Sequence, residues 1–158
     1  MLLGSALLAS AAALGALRFS DVLPLPSLHQ YLSLLGGSAG LPLLATAVAA
    51  PQSMVARQTR YAWILAGTAC VLATVLVLVL PFKLWASVTA LASALALLVA
   101  GLKHRQALPT AAGLSMLAAL LLFAAKVSIP PLAPGDALHI GLAASLLLIG
   151  RHLRQQTH

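Results

Sequence analysis

Two short stretches of the chain carry side chains that could do chemistry. In "PPLAPGDALHIGL", Asp136 and His139 are three residues apart, so their side chains share a face if the segment is helical. In "LPLPSLHQYL", His29 follows two prolines and opens an apolar run, and Asp21 lies shortly before it. Imidazole and carboxylate groups bind zinc and can leave a coordination position for an activated water. We therefore name His29, His139 and Asp136 as candidate metal ligands, and Asp21 and Asp136 as candidate catalytic groups.

The two stretches share an order of features. In each, a basic residue ends an apolar run and is followed by a serine, prolines and a Leu-His pair. A true repeat would be typical of transporters, whereas a short, gapped match also arises by chance in a low-complexity membrane sequence. Both interpretations stay open. The corresponding residues are Arg18 and Lys126, Ser20 and Ser128, Pro26 and Pro134, and His29 and His139.

The same side chains also have structural interpretations. A histidine at the end of a membrane span can simply bond to a lipid headgroup or a carbonyl. Asp136 follows Pro-Gly and precedes an apolar run, which is a good setting for a helix N-cap whose charge suits the helix dipole. His104 and His152 lie in basic segments, and we expect them to face water or lipid.

The composition predicts that lipid is the solvent for most of the chain. Of the 158 residues, 61% are hydrophobic and 7% charged, against roughly 45–50% and about 25% in ordinary soluble domains. Nine Lys and Arg residues face only two acids, and they occur singly or in pairs between apolar runs. This pattern is typical of topology markers and lipid-headgroup contacts, not of nucleic-acid binding. Cys70, in the middle of an apolar run, is expected to be a packing residue.

Six apolar runs predict an all-α, polytopic membrane helix bundle. A transmembrane helix needs about 20 apolar residues to cross the hydrocarbon core. Because the intervening loops are short, neighbouring spans must be antiparallel, and the whole chain, 1–158, is expected to be one domain. We expect the first run to be retained as a span. The predicted spans are 2–17, 29–50, 61–80, 84–102, 107–125 and 136–150.

The basic residues predict the orientation of these spans. If the spans alternate, six basic residues and both termini fall on one side and three basic residues on the other. The positive-inside rule makes the first side cytoplasmic, so we expect a multi-pass protein of the cell inner membrane with both termini inside. The first group is Arg57, Arg60, Lys103, Arg105, Arg151 and Arg154; the second is Arg18, Lys83 and Lys126.

The segment "GDALHIGLAASLLLIGRHLR" resembles the last span of the CREST superfamily, the group of alkaline ceramidases and adiponectin receptors. That resemblance implies zinc-dependent hydrolysis of lipid amides by a seven-span protein. It makes His139 the first histidine of the family's last-span pair, His29 the early histidine, Asp21 or Asp136 the acid, and Ser20 the serine. The sequence departs from the family at Ala143, where the second histidine of the pair would stand, and it has one predicted span fewer.

The sequence contains no motif for nucleotide binding, zinc proteolysis or serine hydrolysis. Its residues are compatible with three functions. The first is a non-catalytic accessory or scaffold subunit that packs against other membrane proteins, and we favour it. The second is a metal-dependent membrane hydrolase of a lipid amide or ester, with zinc as its expected cofactor. The third is a transporter or channel for a small solute. Expected partners are membrane lipids, other membrane subunits or a second copy of the chain.

Overall fold

A computed structural model describes residues 8–10, 26–76, 84–127 and 134–156. Within these ranges the chain is helical and contains no strand, which confirms the predicted all-α class. The contacts divide the chain into two compact units, Met1–Ala90 and Leu91–His158, with the division inside one continuous helix. The prediction of a single domain stays a prediction.

The described part of the first unit contains helical residues at 8–10, then four helices, a π-helical turn and the beginning of a further helix. The segment "PQSMVARQTR", predicted as a loop, includes one short helix, which Ser53 caps by accepting a hydrogen bond from the Ala56 amide at 3.2 Å. The elements are α1 (Pro26–Leu35), the π turn (Gly36–Gly40), α2 (Leu41–Ala49), α3 (Met54–Arg57), α4 (Thr59–Thr74) and α5 (Trp85–Lys103).

The π turn has a local cause in Pro42. Proline has no amide proton and its ring clashes with the carbonyl four residues earlier in a regular α-helix. In this chain the amide of Leu41 bonds to the Gly36 carbonyl, five residues back, so the helix widens just before the proline. The carbonyl of Pro42 itself accepts a hydrogen bond from the Thr46 hydroxyl at 2.7 Å.

The second unit contains the rest of α5, α6 (Ala107–Ala124) and α7 (Pro134–Gln155). Both α5 and α6 end in the same way. The amide of Gln106 bonds to the Gly101 carbonyl at 2.8 Å, and the Arg105 amide bonds to Leu102 at 3.2 Å, which is a Schellman motif. Arg105 takes a φ of 53°, in the left-handed region that glycine usually fills at this position.

The end of α6 repeats this arrangement. The amide of Val127 donates to the Leu122 carbonyl at 3.0 Å, and the amide of Lys126 donates to the Phe123 carbonyl at 3.1 Å. Lys126 has a φ of 52°. Two helices therefore end on a basic residue held in a left-handed conformation.

Three of the described helices are long and apolar enough to cross a membrane: Gln30–Ala49, Trp85–Lys103 and Ala107–Ala124. They coincide with the predicted spans 29–50, 84–102 and 107–125, and they indicate a membrane protein. The helix α7 contains the predicted span 136–150 but carries His139, Arg151 and Arg154, and it is not among these three. The predicted span 61–80 is described as helix through residue 76, and 2–17 lies almost wholly outside the described residues.

Candidate functional site

His139 is the one predicted metal ligand whose side chain the structure describes. It lies exposed on α7, and its Nδ1 is 2.6 Å from the Gly135 carbonyl oxygen, one helical turn earlier. Because a carbonyl oxygen can only accept, Nδ1 is the donor in this bond, and Nε2 is the ring nitrogen that would coordinate a metal. Among the described residues, no three His, Cys, Asp or Glu side chains lie close enough together to hold a metal ion.

The other predicted site residues fall outside what the structure describes. Asp21 and Ser20 belong to a segment that is not described, and for His29 and Asp136 only the backbone is. The convergence of His29, Asp136 and His139 on one zinc site therefore stays a prediction. The backbone does correct the capping interpretation of Asp136. Since α7 is already helical at Pro134, Asp136 lies within the helix and is not its N-cap.

Backbone contact at glycines organises the second unit. A methyl group added at Gly113 would lie 2.6 Å from the Leu98 backbone nitrogen on α5, and one at Gly101 would overlap Thr110 on α6. On the other side of α6, a methyl at Gly141 of α7 would overlap Ala119. These three helices therefore approach as closely as glycine-mediated membrane helices do.

A hydrogen bond joins α6 to α7 at the last of these contacts. The Ser115 hydroxyl donates to the Gly141 carbonyl at 3.0 Å. One turn further along α7, Ser145 is 0% exposed, and its hydroxyl has no hydrogen-bond partner among the described residues. A helical serine commonly donates to the carbonyl four residues earlier, which is Gly141 for Ser145. Ser115 and the helix amide together already use both lone pairs of that oxygen.

His152 is buried, contrary to the expectation that it faces water or lipid. Its side chain is 6% exposed and its Nε2 lies 2.9 Å from the Gln156 amide nitrogen. Burial lowers the pKa of His152 below its ordinary value of 6.5, because the charged imidazolium loses hydration. The burial of His152 has a signal in the sequence. Intervals of three or four residues place it on the same face of α7 as Gly141, Ser145 and Ile149, the face that packs against α6.

Hydroxyl groups also join elements of the first unit. The Thr89 hydroxyl of α5 lies 3.1 Å from the Gly37 carbonyl in the π turn, and the Tyr31 and Thr74 hydroxyls are 3.0 Å apart between α1 and α4. Ser38 in the π turn and the indole nitrogen of Trp85 are buried without a hydrogen-bond partner among the described residues. Trp85 therefore differs from Trp63, which is 60% exposed and fits an interfacial anchor.

An open groove lies along the exposed face of α4. Its cavity volume is about 420 Å³, and a methyl group added at Gly67 would meet no other atom of the described residues within 4 Å. Gly67 thus differs from the three glycines of the second unit, whose open sides are filled by a neighbouring helix. We call this the α4 groove, and its lining residues are Gly67, Thr68, Val71, Leu72 and Val75.

Comparison with known protein families, with curated proteins and with solved structures finds no match to this chain. The resemblance to the CREST superfamily is neither supported nor contradicted by this result.

Proposed function

We propose that this chain is a multi-pass protein of the cell inner membrane that acts as a non-catalytic accessory or scaffold subunit. The observation that carries this proposal is the interior of the second unit. At Gly101, Gly113 and Gly141 the helices approach too closely for a Cβ to fit, and the buried apolar side chains described in this unit are mostly those of Ala, Leu, Met and Ile. Such an interior supports a fixed shape, and it directs interactions to the outer faces of the helices.

Those outer faces are suited to lipid and to other membrane helices. Large apolar side chains are exposed on α4, α5, α6 and α7, for example Val99 at 61% and Leu147 at 71%. In water such surfaces would be unfavourable, since each buried Leu or Val side chain is worth about 1.5–3 kcal/mol. In a bilayer they contact acyl chains or partner helices without that cost.

The proposal includes the six-span topology with both termini in the cytoplasm. It is supported by the three helices that coincide with predicted spans and by two basic residues between α5 and α6, namely Lys103 at the end of α5 and Arg105 in the short connection. Single cysteines placed in the loops of a Cys70→Ser chain test the orientation. A membrane-impermeant maleimide should label positions 105 and 154 only after the cell is opened, and position 83 in intact cells. The reverse pattern would contradict the orientation.

The accessory role is tested by purifying the tagged chain from its own membranes in a mild detergent. We expect a complex of fixed stoichiometry with a second membrane protein or with further copies of the chain. A matched chain in which only the exposed residues Leu147 and Val99 are replaced by alanine should fold equally well and lose part of that association. A monodisperse monomer under all mild conditions would contradict the proposal.

A second candidate function, the zinc-dependent hydrolase, is favoured by one observation. A metal-binding histidine usually donates its other ring N–H to a carbonyl or carboxylate, and the His139 Nδ1 contact with the Gly135 carbonyl is such an arrangement. His139 would bind zinc through Nε2, together with His29 and Asp136, and zinc would supply an activated water. The same bond equally satisfies an imidazole that lies in lipid. The transporter hypothesis stays a prediction.

Metal analysis separates these candidates. For a hydrolase, the purified chain contains about one zinc ion, and His139→Ala loses it while His104→Ala keeps it. For the accessory role, zinc is at background in all three proteins and the association with the partner is unchanged by His139→Ala.

A further inference from the structure

The α4 groove continues toward a cluster of cationic and aromatic side chains. On a helix, Arg60, Ile64, Gly67 and Val71 follow one another at intervals of three or four residues and therefore share a face. Trp63 and Ile64 lie exposed between Arg60 and the groove. The face thus changes from charged, through aromatic, to apolar within a few turns.

Arg60 is positioned to hold an anion. Its guanidinium carbon lies 4.6 Å from the centre of the Tyr61 ring, and one of its N–H groups donates to the Tyr61 hydroxyl at 2.9 Å. A guanidinium has five N–H donors in a planar fork that matches phosphate oxygens, so the others remain for a ligand. Arg57, three residues earlier, donates to the Gln52 side-chain oxygen at 3.4 Å.

The spacing along α4 matches the depth of a lipid leaflet. At 1.5 Å per residue, Gly67 lies about 10 Å and Val75 about 22 Å along the helix axis from Arg60. Each leaflet contributes about 15 Å of hydrocarbon, so the groove covers the depth of the acyl chains when Arg60 is at headgroup level. Trp63 then lies at the boundary, where indole rings settle.

The lining of the groove favours a flexible occupant over a second helix. Close helix–helix crossings use small residues four apart, as at the contacts within the second unit. In α4 the neighbours of Gly67 at these positions are Trp63 and Val71, whose side chains are large and exposed. An acyl chain can bend between such side chains, whereas a helix backbone cannot approach past them.

We propose that the α4 groove with Arg60 and Arg57 binds one anionic phospholipid, its phosphate at the arginines and an acyl chain over Gly67. The site faces the cytoplasmic leaflet, where anionic lipids attract basic side chains. This inference rests on the proposed topology, in which α4 crosses the membrane, but does not depend on the accessory role. The lipid would be bound as a structural ligand and undergo no reaction.

Trp63 provides the measurement, because it lies next to the groove. In a Trp85→Phe chain in lipid nanodiscs, Trp63 is the sole tryptophan, and phospholipids with brominated acyl chains quench it on contact. We use brominated phosphatidylglycerol and brominated phosphatidylcholine with identical chains, each as a minor fraction of the bilayer. Phosphatidylglycerol should quench Trp63 more strongly, and unlabelled phosphatidylglycerol should compete.

Four variants identify the site. Arg60→Gln should reduce the preference for phosphatidylglycerol roughly fivefold, as expected for one basic residue at an anionic surface. Gly67→Leu, which has open space for its side chain, should reduce quenching by both lipids at this position. The controls remove the same charge and fill another open glycine elsewhere. Arg151→Gln and Gly150→Leu should retain the full preference.

Equal quenching by the two lipids in the unmutated groove would overturn the proposal, as would a preference that survives both Arg60→Gln and Gly67→Leu. A cross-linked dimer that disappears in Gly67→Leu would assign the groove to a second copy and also overturn it. Labelling of Cys70 distinguishes failure of the lipid-site proposal from failure of the proposed topology. If α4 crosses the membrane, a membrane-impermeant maleimide leaves Cys70 unlabelled in bilayers, whatever the lipid preference. Labelling of Cys70 there would reject the span itself, and retained partner association would still leave the accessory role standing.

Discussion

The hydroxyl of Ser115 donates to the Gly141 carbonyl at 3.0 Å, across the contact between α6 and α7. That oxygen is also the one to which Ser145 would donate within its own helix. The bond between helices is thus made at the expense of a bond within one helix, and Ser145 is left buried without a partner among the described residues. The two serines compete for one acceptor.

This competition predicts a non-additive pair of variants. Ser115→Ala should destabilise the fold by less than about 0.6 kcal/mol, the average for such bonds in membrane bundles, because Ser145 can then donate to the Gly141 carbonyl. Ser145→Ala alone should be neutral or stabilising, since it removes a buried hydroxyl without a bond. The double variant should cost more than the sum of the two. Denaturation in mixed detergent micelles measures all three, and simple additivity would contradict the shared acceptor.

Alanine substitutions at Gly113 and Gly150 should differ clearly in their effect on stability. Gly113→Ala should destabilise the α5–α6 contact by about 1–3 kcal/mol, because the new methyl meets backbone atoms that cannot move aside. Gly150→Ala, in open space on α7, should be neutral or stabilising by up to about 1 kcal/mol through helix propensity. Thermal unfolding in detergent compares them, and equal effects would argue against close approach at Gly113.

The helix ends at Arg105 and Lys126 offer stabilising substitutions. Both residues have a left-handed backbone, which costs a residue with a Cβ roughly 1–2 kcal/mol and costs glycine nothing comparable. Arg105→Gly and Lys126→Gly should therefore each raise the unfolding temperature. Arg105→Ala removes the same charge but keeps the Cβ, and should not. A gain in both Arg105 variants would point to the charge and not to the backbone.

His152 predicts a dependence of stability on pH. Its pKa is lowered in the folded protein by burial, so the unfolded chain takes up a proton at a higher pH than the folded chain does. Stability should therefore be unaffected well above pH 6.5 and should fall as the pH drops below 6.5 toward the folded pKa. His152→Gln should remove that part of the slope, and His104→Gln, exposed in the loop, serves as the control. An unchanged slope in His152→Gln would assign the effect to other groups.

The sequence predicted the helical class and three of the spans because both follow from properties of continuous segments. An apolar run of the length of 84–102 or 107–125 has few alternatives to a membrane helix, and the described helices match these runs to within two residues. The direction in which a single side chain points is a different matter. His152 was predicted to be exposed from its basic neighbours, yet its place on the Gly141–Ser145 face determines its burial.

The candidate site was less predictable for a related reason. Asp136 and His139 indicated chemistry because charged groups are rare in this chain, but rarity does not say which groups meet in space. The bond between Ser115 and Gly141 and the open side of Gly67 depend on how helices are placed against one another. Such placement follows from packing across the whole fold, and no local pattern around Ser115 or Gly67 encodes it.

The wide turn at Gly36–Gly40 holds one residue more than a regular helical turn would. The helix that follows it, Leu41–Ala49, is consequently rotated about the axis relative to the face that precedes the turn. Removing a single glycine from this turn would bring the two halves into one uninterrupted spiral of nearly the same length, with Pro42 then opposed to a carbonyl that has nowhere to move. Deletion of one residue in this turn would therefore disrupt the helix, and the clash of the Pro42 ring with that carbonyl is the cause.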